Sequence, residues 1–212
     1  RVDTSDIRIA AHLQTVSKTR IYGSRESLID RNQLILQFDE ESNEDYPEGV
    51  IDKLTKAACS ALPGSCAVVL SDYGKGVVSD DGAAEVIAAA KAAEVPVICD
   101  PKLTGLHRTV GATVALFEIR GLELLRRRSN LPDAESTAAH FIKEHDWQGM
   151  LVLGGEDGTT LYQKDEDPLF LPCLIEVPQQ LIGLHDAAAT ALACALGAGR
   201  TLAEGARLAN AA

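Results

Sequence analysis

Short apolar runs alternate along the chain with longer segments in which apolar residues recur every three to four positions. The run at 66–70 (CAVVL) contains no charged residue, which is typical of a strand covered on both faces of a sheet. The segment at 48–62 follows a helical period instead. Predicted strands cover residues 66–70, 95–99, 112–117, 150–153, 159–163 (a hairpin partner of the preceding strand) and 174–177 (a short edge piece). Predicted helices cover residues 48–62, 80–93, 120–128, 134–146, 185–198 and 201–212.

The alternation of strands and helices from residue 66 onward predicts a parallel sheet with helices on both faces, which is an α/β fold. Two further extended segments, 15–23 and 32–39, come before this alternation and are joined by a polar stretch at 24–31. Because they stand outside the alternation, they predict a small β flap over an α/β core at 48–212. The length of the chain fits a single domain over residues 1–212.

The charge balance limits the kinds of partner. The 212 residues carry a formal net charge of -11, which argues against nucleic-acid binding because nucleic acid is itself densely negative. A phosphorylated ligand is still compatible with this charge, since backbone amides at a helix N-terminus hold phosphate locally.

No apolar run approaches the roughly 18 residues that a membrane span needs. The five cysteines form no CxxC pair and stand mostly among apolar residues, which predicts reduced, buried thiols in a cytoplasmic protein.

Polar side chains follow two of the predicted strands. Asp72 and Lys75 come after the strand at 66–70, and Asp100 and Lys102 come after the next strand along the chain. The carboxyl ends of parallel strands meet at one edge of a sheet, where α/β proteins bind ligands. A carboxylate and an ammonium group at each of two strand ends suit a polyol or a phosphate, although such a glycine-rich segment is also typical of an ordinary turn.

The start of the helix at 185–198 is the strongest candidate for chemistry. There Gly183 and Asp186 open an apolar helix, whose first N–H groups attract an anion such as a transferring phosphate. A carboxylate beside them could accept a proton from a substrate hydroxyl group. Two simpler interpretations stay open: Asp186 caps the helix, and His185 is an ordinary first-turn residue. The sequence contains no Walker A loop, no GxGxxG fingerprint and no metal-ligand spacing.

Four segments together resemble the PfkB/ribokinase-like carbohydrate kinases. They are TVSKTR at 15–20, NQLI at 32–35, SDYGKG at 71–76 and VPVICDPK at 95–102. Within this family the likeness is closest to the kinase domain that acts on D-glycero-β-D-manno-heptose 7-phosphate in ADP-heptose synthesis. The resemblance covers nearly the whole chain, and the GGEDG and DAAAT segments follow in the family's order.

The resemblance implies a ribokinase-like Rossmann-type core with a β lid, and phosphoryl transfer from ATP, with Mg²⁺, to a sugar or sugar phosphate. Family members often pair through the lid, so a homodimer through residues 15–39 is expected, and an isolated two-stranded element is marginally stable in water. The family's Gly-Ala-Gly-Asp signature falls on residues 183–186. The residues with implied roles are Gly183, Leu184 and His185 as an anion hole, Asp186 as catalytic base, Asp72, Lys75, Asp100 and Lys102 for substrate, and Glu118, Gly155 and Gly158 for nucleotide.

The chain also departs from the family's pattern. His185 replaces the second glycine of the signature, and its Cβ is expected to hinder the approach of a phosphate to the backbone. The family's Asn-x-x-Glu motif, tied to Mg²⁺ and phosphate, falls on 118–121, where Glu118 and Gly121 stand instead. The family's first strand and last nucleotide-flanking segment have no counterpart here, which predicts a domain truncated at both ends.

These departures set the expected level of activity. Because the loss of one phosphate-positioning group costs several kcal/mol of transition-state stabilisation, they predict little or no turnover by this chain. One alternative is a non-catalytic protein of the same fold that binds nucleotide or sugar phosphate, and another is a kinase for a different sugar or a nucleoside. A Rossmann-type oxidoreductase is disfavoured by the missing glycine fingerprint.

Overall fold

A computed structural model describes residues 3–10, 12–23, 33–42, 46–175 and 182–212. The chain divides into two compact units, Arg1–Val50 and Ile51–Ala212. In the first unit, β1 (Ser17–Gly23) pairs antiparallel with β2 (Gln33–Glu40), with a register shift between Ile21 and Tyr22. The two extended segments expected from the sequence therefore form a β ribbon, while the predicted connection at 24–31 lies outside the described residues. The role of this ribbon as a lid stays a prediction.

The second unit is built on one six-stranded sheet. Its strands are β3 (Val68–Asp72), β4 (Val97–Pro101), β5 (Val114–Glu118), β6 (Gly149–Leu153), β7 (Thr159–Gln163) and β8 (Leu169–Leu171). They lie in the sheet in chain order, with β3 to β6 parallel and β7 and β8 antiparallel. The sheet is therefore mixed, because the glycine-rich turn at 154–158 reverses the chain after β6 and produces the predicted hairpin.

Six α-helices are described: α1 (Val50–Ala61), α2 (Asp80–Ala92), α3 (Ile119–Arg128), α4 (Ala134–Glu144), α5 (Leu184–Gly197) and α6 (Leu202–Ala211). Three begin at a side chain that accepts a hydrogen bond from the first turn, namely Ser79, Asp133 and Thr201. None of the helices in the described ranges combines the length and the apolar composition that a membrane span requires.

Alternate residues of the central strands enter two separate cores. On β5, Ala115 and Phe117 pack with residues of α2, α3 and α4, whereas Val114 and Leu116 pack with residues of α5 and α6. This separation follows from the sheet topology, since right-handed crossovers between strands in sequential order place their helices on one face. The predicted α/β arrangement with helices on both faces is confirmed.

Several predicted element bounds are wrong by about two residues. Strands β3 and β4 each begin and end two residues later than their apolar runs, and β5 begins two residues and ends one residue later, so that Asp72, Asp100 and Glu118 lie within strands. The predicted edge strand at 174–177 is also wrong: the edge is β8 at Leu169–Leu171, residues 174 and 175 are not in a strand, and 176–177 lie outside the described residues. Backbone pairing extends these strands past the apolar residues that predicted them.

The prediction of buried thiols holds for one cysteine only. Cys99 on β4 is 1% exposed, and burial raises the pKa of its thiol to about 12. Cys66 and Cys194 are exposed, and Cys59 and Cys173 are partly exposed. Apolar neighbours in sequence did not predict burial, because those four residues lie outside the two cores.

Candidate active site

The N-terminus of α5 lies open at the carboxyl-terminal edge of the parallel strands. Gly183 precedes the helix with a φ of 86°, a left-handed conformation that glycine adopts without steric cost, and among the described residues no side chain is seen to cap the first turn. The carbonyl of Gly183 accepts a hydrogen bond from the Ala187 N–H at 2.8 Å. The simpler interpretation of Asp186 as the helix cap is therefore wrong. The uncapped amides of the first turn can accept an anionic ligand.

Asp186 is exposed and meets residues from two strand ends. The Tyr73 hydroxyl, just after β3, donates a hydrogen bond to Asp186 Oδ1 at 3.3 Å. Partial burial and the neighbouring Asp186 charge both raise the pKa of Tyr73, which keeps the phenol protonated as a donor. The Lys102 ammonium group, just after β4, lies 5.6 Å from the centre of the Tyr73 ring. An exposed carboxylate, a phenol and a cation thus converge at the sheet edge.

His185 makes contacts that the sequence analysis did not anticipate. Its Nδ1 lies 3.0 Å from Asp100 Oδ1, and its Nε2 lies 3.6 Å from Glu118 Oε1, which is too long for a hydrogen bond. The hydrogen bond to Asp100 raises the pKa of His185, against a smaller opposing effect of burial. The structure therefore brings Asp100, Glu118 and His185 together from β4, β5 and α5.

Asp72 is held inside the protein. One carboxylate oxygen accepts a hydrogen bond from the Gly74 N–H at 2.8 Å, and the other accepts one from Arg108 Nη1 at 2.9 Å. Arg108 also donates to Asp80 at 2.6 Å, and a Cβ added at Gly105 would collide with the Asp72 carboxylate. These contacts give Asp72 a bracing role at the end of β3, while substrate binding by Asp72 stays a prediction.

Arg108 is the residue in this arrangement that sequence reasoning missed. It lies 36 positions from Asp72 and follows no strand directly, so no spacing rule connects the two. Lys75 lies in the turn after β3, as expected, and substrate binding by Lys75 stays a prediction. Of the four residues predicted to bind substrate, Asp100 and Lys102 lie next to the α5 N-terminus.

The three residues predicted to bind nucleotide are not brought to one place by any described contact. Glu118 ends β5 and precedes α3, and its side chain is 66% exposed beside His185. Gly155 and Gly158 belong to the turn between β6 and β7, where the Gly154 N–H donates to the Gly158 carbonyl at 2.7 Å. The described contacts give the two glycines a role in the turn, and nucleotide binding by them stays a prediction.

The arrangement of possible ligands decides whether the protein by itself could hold a divalent cation. Across the described parts of the chain, no group of three His, Cys, Asp or Glu side chains is arranged to hold a metal ion. Mg²⁺ in nucleotide sites is often bound through phosphate oxygens and water with only one or two carboxylates, so this arrangement still fits a metal that arrives with its nucleotide.

Comparison with known proteins agrees with the fold. Residues 3–212 match the model of the pfkB family carbohydrate kinases. The bifunctional protein HldE of Pectobacterium atrosepticum is 34% identical over 201 residues, which are 93% of this chain and 39% of that protein. A second HldE, from Paramagnetospirillum magneticum, is 35% identical over 201 residues, 94% of this chain and 40% of that protein. The chain thus spans about two fifths of the length of these relatives.

Among solved structures, similarity lies in the fold. Arabidopsis thaliana ribokinase, complexed with ribose and ATP, superposes with a TM-score of 0.58 at 18% identity, covering 84% of this chain and 57% of the ribokinase. The superposition shows a shared ribokinase-type architecture. At such low sequence identity it carries no information on substrate.

Proposed function

Because the chain belongs to the pfkB family of carbohydrate kinases, we propose that it serves ATP-dependent phosphoryl transfer to a hydroxyl group of a sugar or sugar phosphate. The observation that carries this proposal is the exposed Asp186 carboxylate on the uncapped first turn of α5, at the sheet edge where α/β proteins bind ligands. An exposed carboxylate, which could act as a general base, and backbone N–H groups stand there side by side.

In the proposed reaction, Asp186 accepts the proton of the substrate hydroxyl as its oxygen attacks the γ-phosphorus of ATP. The bond between that phosphorus and the β–γ bridging oxygen breaks, and ADP leaves with the bonding electrons. The amides of residues 184–186 would hold the transferring group, and Tyr73 orients the Asp186 carboxylate through its hydrogen bond. Bound Mg²⁺ would neutralise charge on the nucleotide phosphates.

The finer substrate assignment rests on the HldE relatives. We propose heptose 7-phosphate as the acceptor, in the synthesis of the ADP-heptose precursor of lipopolysaccharide core, and a cytoplasmic site of action where ATP is available. Lys102 beside Tyr73 supplies a cation that suits a phosphate-bearing sugar. Acceptors of other classes, including other sugars and nucleosides, form the comparison set in the assay below.

A second candidate function is binding of nucleotide or sugar phosphate without turnover. The observation that favours it is His185, which stands at the second glycine of the family's signature and is fixed between Asp100 and Glu118. Together with Gly121 in place of a glutamate, this arrangement predicts slow transfer at best.

Calorimetric titration with ATP and Mg²⁺, followed by a coupled assay of ADP release, separates the two candidates. Release of ADP that depends on heptose 7-phosphate, with the phosphorylated product seen by ³¹P NMR, supports the kinase. Binding of ATP with no release for any acceptor supports the second candidate. Absence of both contradicts both proposals.

We further propose that the β ribbon pairs two copies of the chain. Leu36 and Phe38 of β2 share one face of the ribbon with Ile21 of β1, which lies opposite Leu36, and all three side chains are about half exposed. A two-stranded ribbon with an exposed apolar face gains stability when a second copy covers it.

Leu36→Glu is therefore expected to convert a dimer into a monomer, because it places a charge in the middle of that apolar face. Light scattering coupled to gel filtration at micromolar concentration measures the mass. Gln37→Glu introduces the same charge on the other face of β2, opposite Arg20, and is expected to leave the dimer intact. A wild-type mass equal to that of one chain contradicts the proposal.

A further inference from the structure

His185 joins two acidic strand ends at the site proposed to hold phosphate. Its imidazole is hydrogen-bonded to Asp100 through Nδ1, and its side chain is 21% exposed. Among the described residues, the Nε2 atom has no hydrogen-bond partner; it is sealed from solvent and faces Glu118. Both ring nitrogens are therefore directed at carboxylates, so the ring does not offer a donor directly to a ligand.

The charges around this ring come from each element packed against it. Asp100 and Lys102 come from the end of β4, Glu118 from the end of β5, and Asp186 from α5 itself. When the imidazole is neutral, three carboxylates and one ammonium group surround the first turn of α5. When it is protonated, the local balance is one charge more positive.

We propose that His185 sets the affinity of this site for phosphate-bearing ligands, by supplying in its protonated form the charge that offsets Asp100 and Glu118. The inference rests on the proposed function, since it concerns the same phosphate site. A phosphate that approaches the α5 amides meets the field of all these groups. The proton on His185 decides whether that field favours or opposes an anion.

The direction of the pH effect follows from the same contacts. The pKa of His185 is raised by the hydrogen bond to Asp100, so the ring stays protonated to a higher pH than an ordinary histidine. Affinity for an anion should therefore be full below this raised pKa and fall as the pH rises through it. A change of one unit charge close to a bound anion changes the affinity for that anion by about tenfold.

Sulfate is the probe, because it remains a dianion throughout the range and any pH dependence then belongs to the protein. Its dissociation constant is measured from pH 6 to 9 through the NMR shifts of the α5 first-turn amides. For the wild type we expect the dissociation constant of sulfate to rise about tenfold from pH 6 to pH 9. For His185→Gln we expect a high and nearly constant dissociation constant, and for His140→Gln the same curve as the wild type. His140 is an exposed histidine on α4 whose Nε2 lies 3.5 Å from Glu144 Oε2, and it makes no described contact with this cluster.

Asp100→Asn provides a second test in case His185→Gln does not fold. Removing the partner that raises the pKa should move the midpoint of the affinity curve to lower pH. The inference is overturned if the affinity of the wild type for sulfate does not change with pH, or if no sulfate binds at any pH. It is also overturned if His185→Gln shows the same pH dependence as the wild type, or if the midpoint does not move in Asp100→Asn.

The coupled ADP assay on the same proteins separates this inference from the proposed function. Turnover whose dependence on pH is unchanged by His185→Gln overturns the inference and leaves phosphoryl transfer standing. Sulfate binding with the expected dependence on His185, but without turnover, supports the inference and contradicts the kinase.

Discussion

Asp186→Asn should lower the rate of phosphoryl transfer by about 10²- to 10⁴-fold, the usual contribution of a positioned general base. The amide has nearly the same shape and can still accept the hydrogen bond from Tyr73, but it cannot take a proton from the acceptor hydroxyl. The loss is therefore expected in kcat, while the affinity for ATP changes little. The measurement is ADP release under saturating ATP and acceptor.

The matched control is Asp81→Asn, which makes the same chemical change in the first turn of α2. Asp81 is exposed and is not among the residues that surround the α5 N-terminus. Its replacement should leave the rate within a factor of two. An Asp186→Asn protein that keeps more than a third of the wild-type rate would remove Asp186 as the base.

Much of the fold follows from local pattern, because an apolar strand run and a helical period each require only neighbouring residues. The alternation after residue 66 predicted the parallel strands and their helices, with errors mainly at the ends. At β3 the apolar run stops at Leu70, but pairing with β4 continues to Asp72 opposite Pro101. A backbone ladder does not depend on side-chain polarity, so hydropathy alone could not locate that end.

The site was partly predictable for a similar reason. A rule about strand ends located Asp100 and Lys102, and the helix-start pattern located Asp186. The contacts of Asp186 with Tyr73, over 113 positions, and of His185 with Asp100, over 85, depend on how α5 packs across the sheet. Spacing along the sequence cannot predict contacts between residues that are so far apart in the chain. His185 could have been noticed through its place at a signature glycine, but its partners could not.

Gly158→Ala should lower the free energy of unfolding by roughly 2–5 kcal/mol, the combined cost of backbone strain and overpacking. Gly158 has φ 81° and ψ -164°, a region that essentially only glycine occupies. A Cβ there would also collide with the Leu171 carbonyl of β8 and lie 3.2 Å from the Cys173 nitrogen. Because the obstacle is backbone, it cannot move aside as a flexible side chain would.

Gly155→Ala is the matched control within the same turn. Gly155 also has a positive φ, of 62°, but a Cβ there would meet nothing within 4 Å, so only the left-handed strain of about 1 kcal/mol is expected. Urea unfolding followed by circular dichroism measures both variants. Equal losses in the free energy of unfolding for the two variants would show that the close approach of β8 is not the reason why position 158 requires glycine. A clear excess for Gly158→Ala would mean that the approach of β8 fixes this glycine. Unchanged ATP affinity in the folded Gly155→Ala protein would argue against nucleotide binding at Gly155.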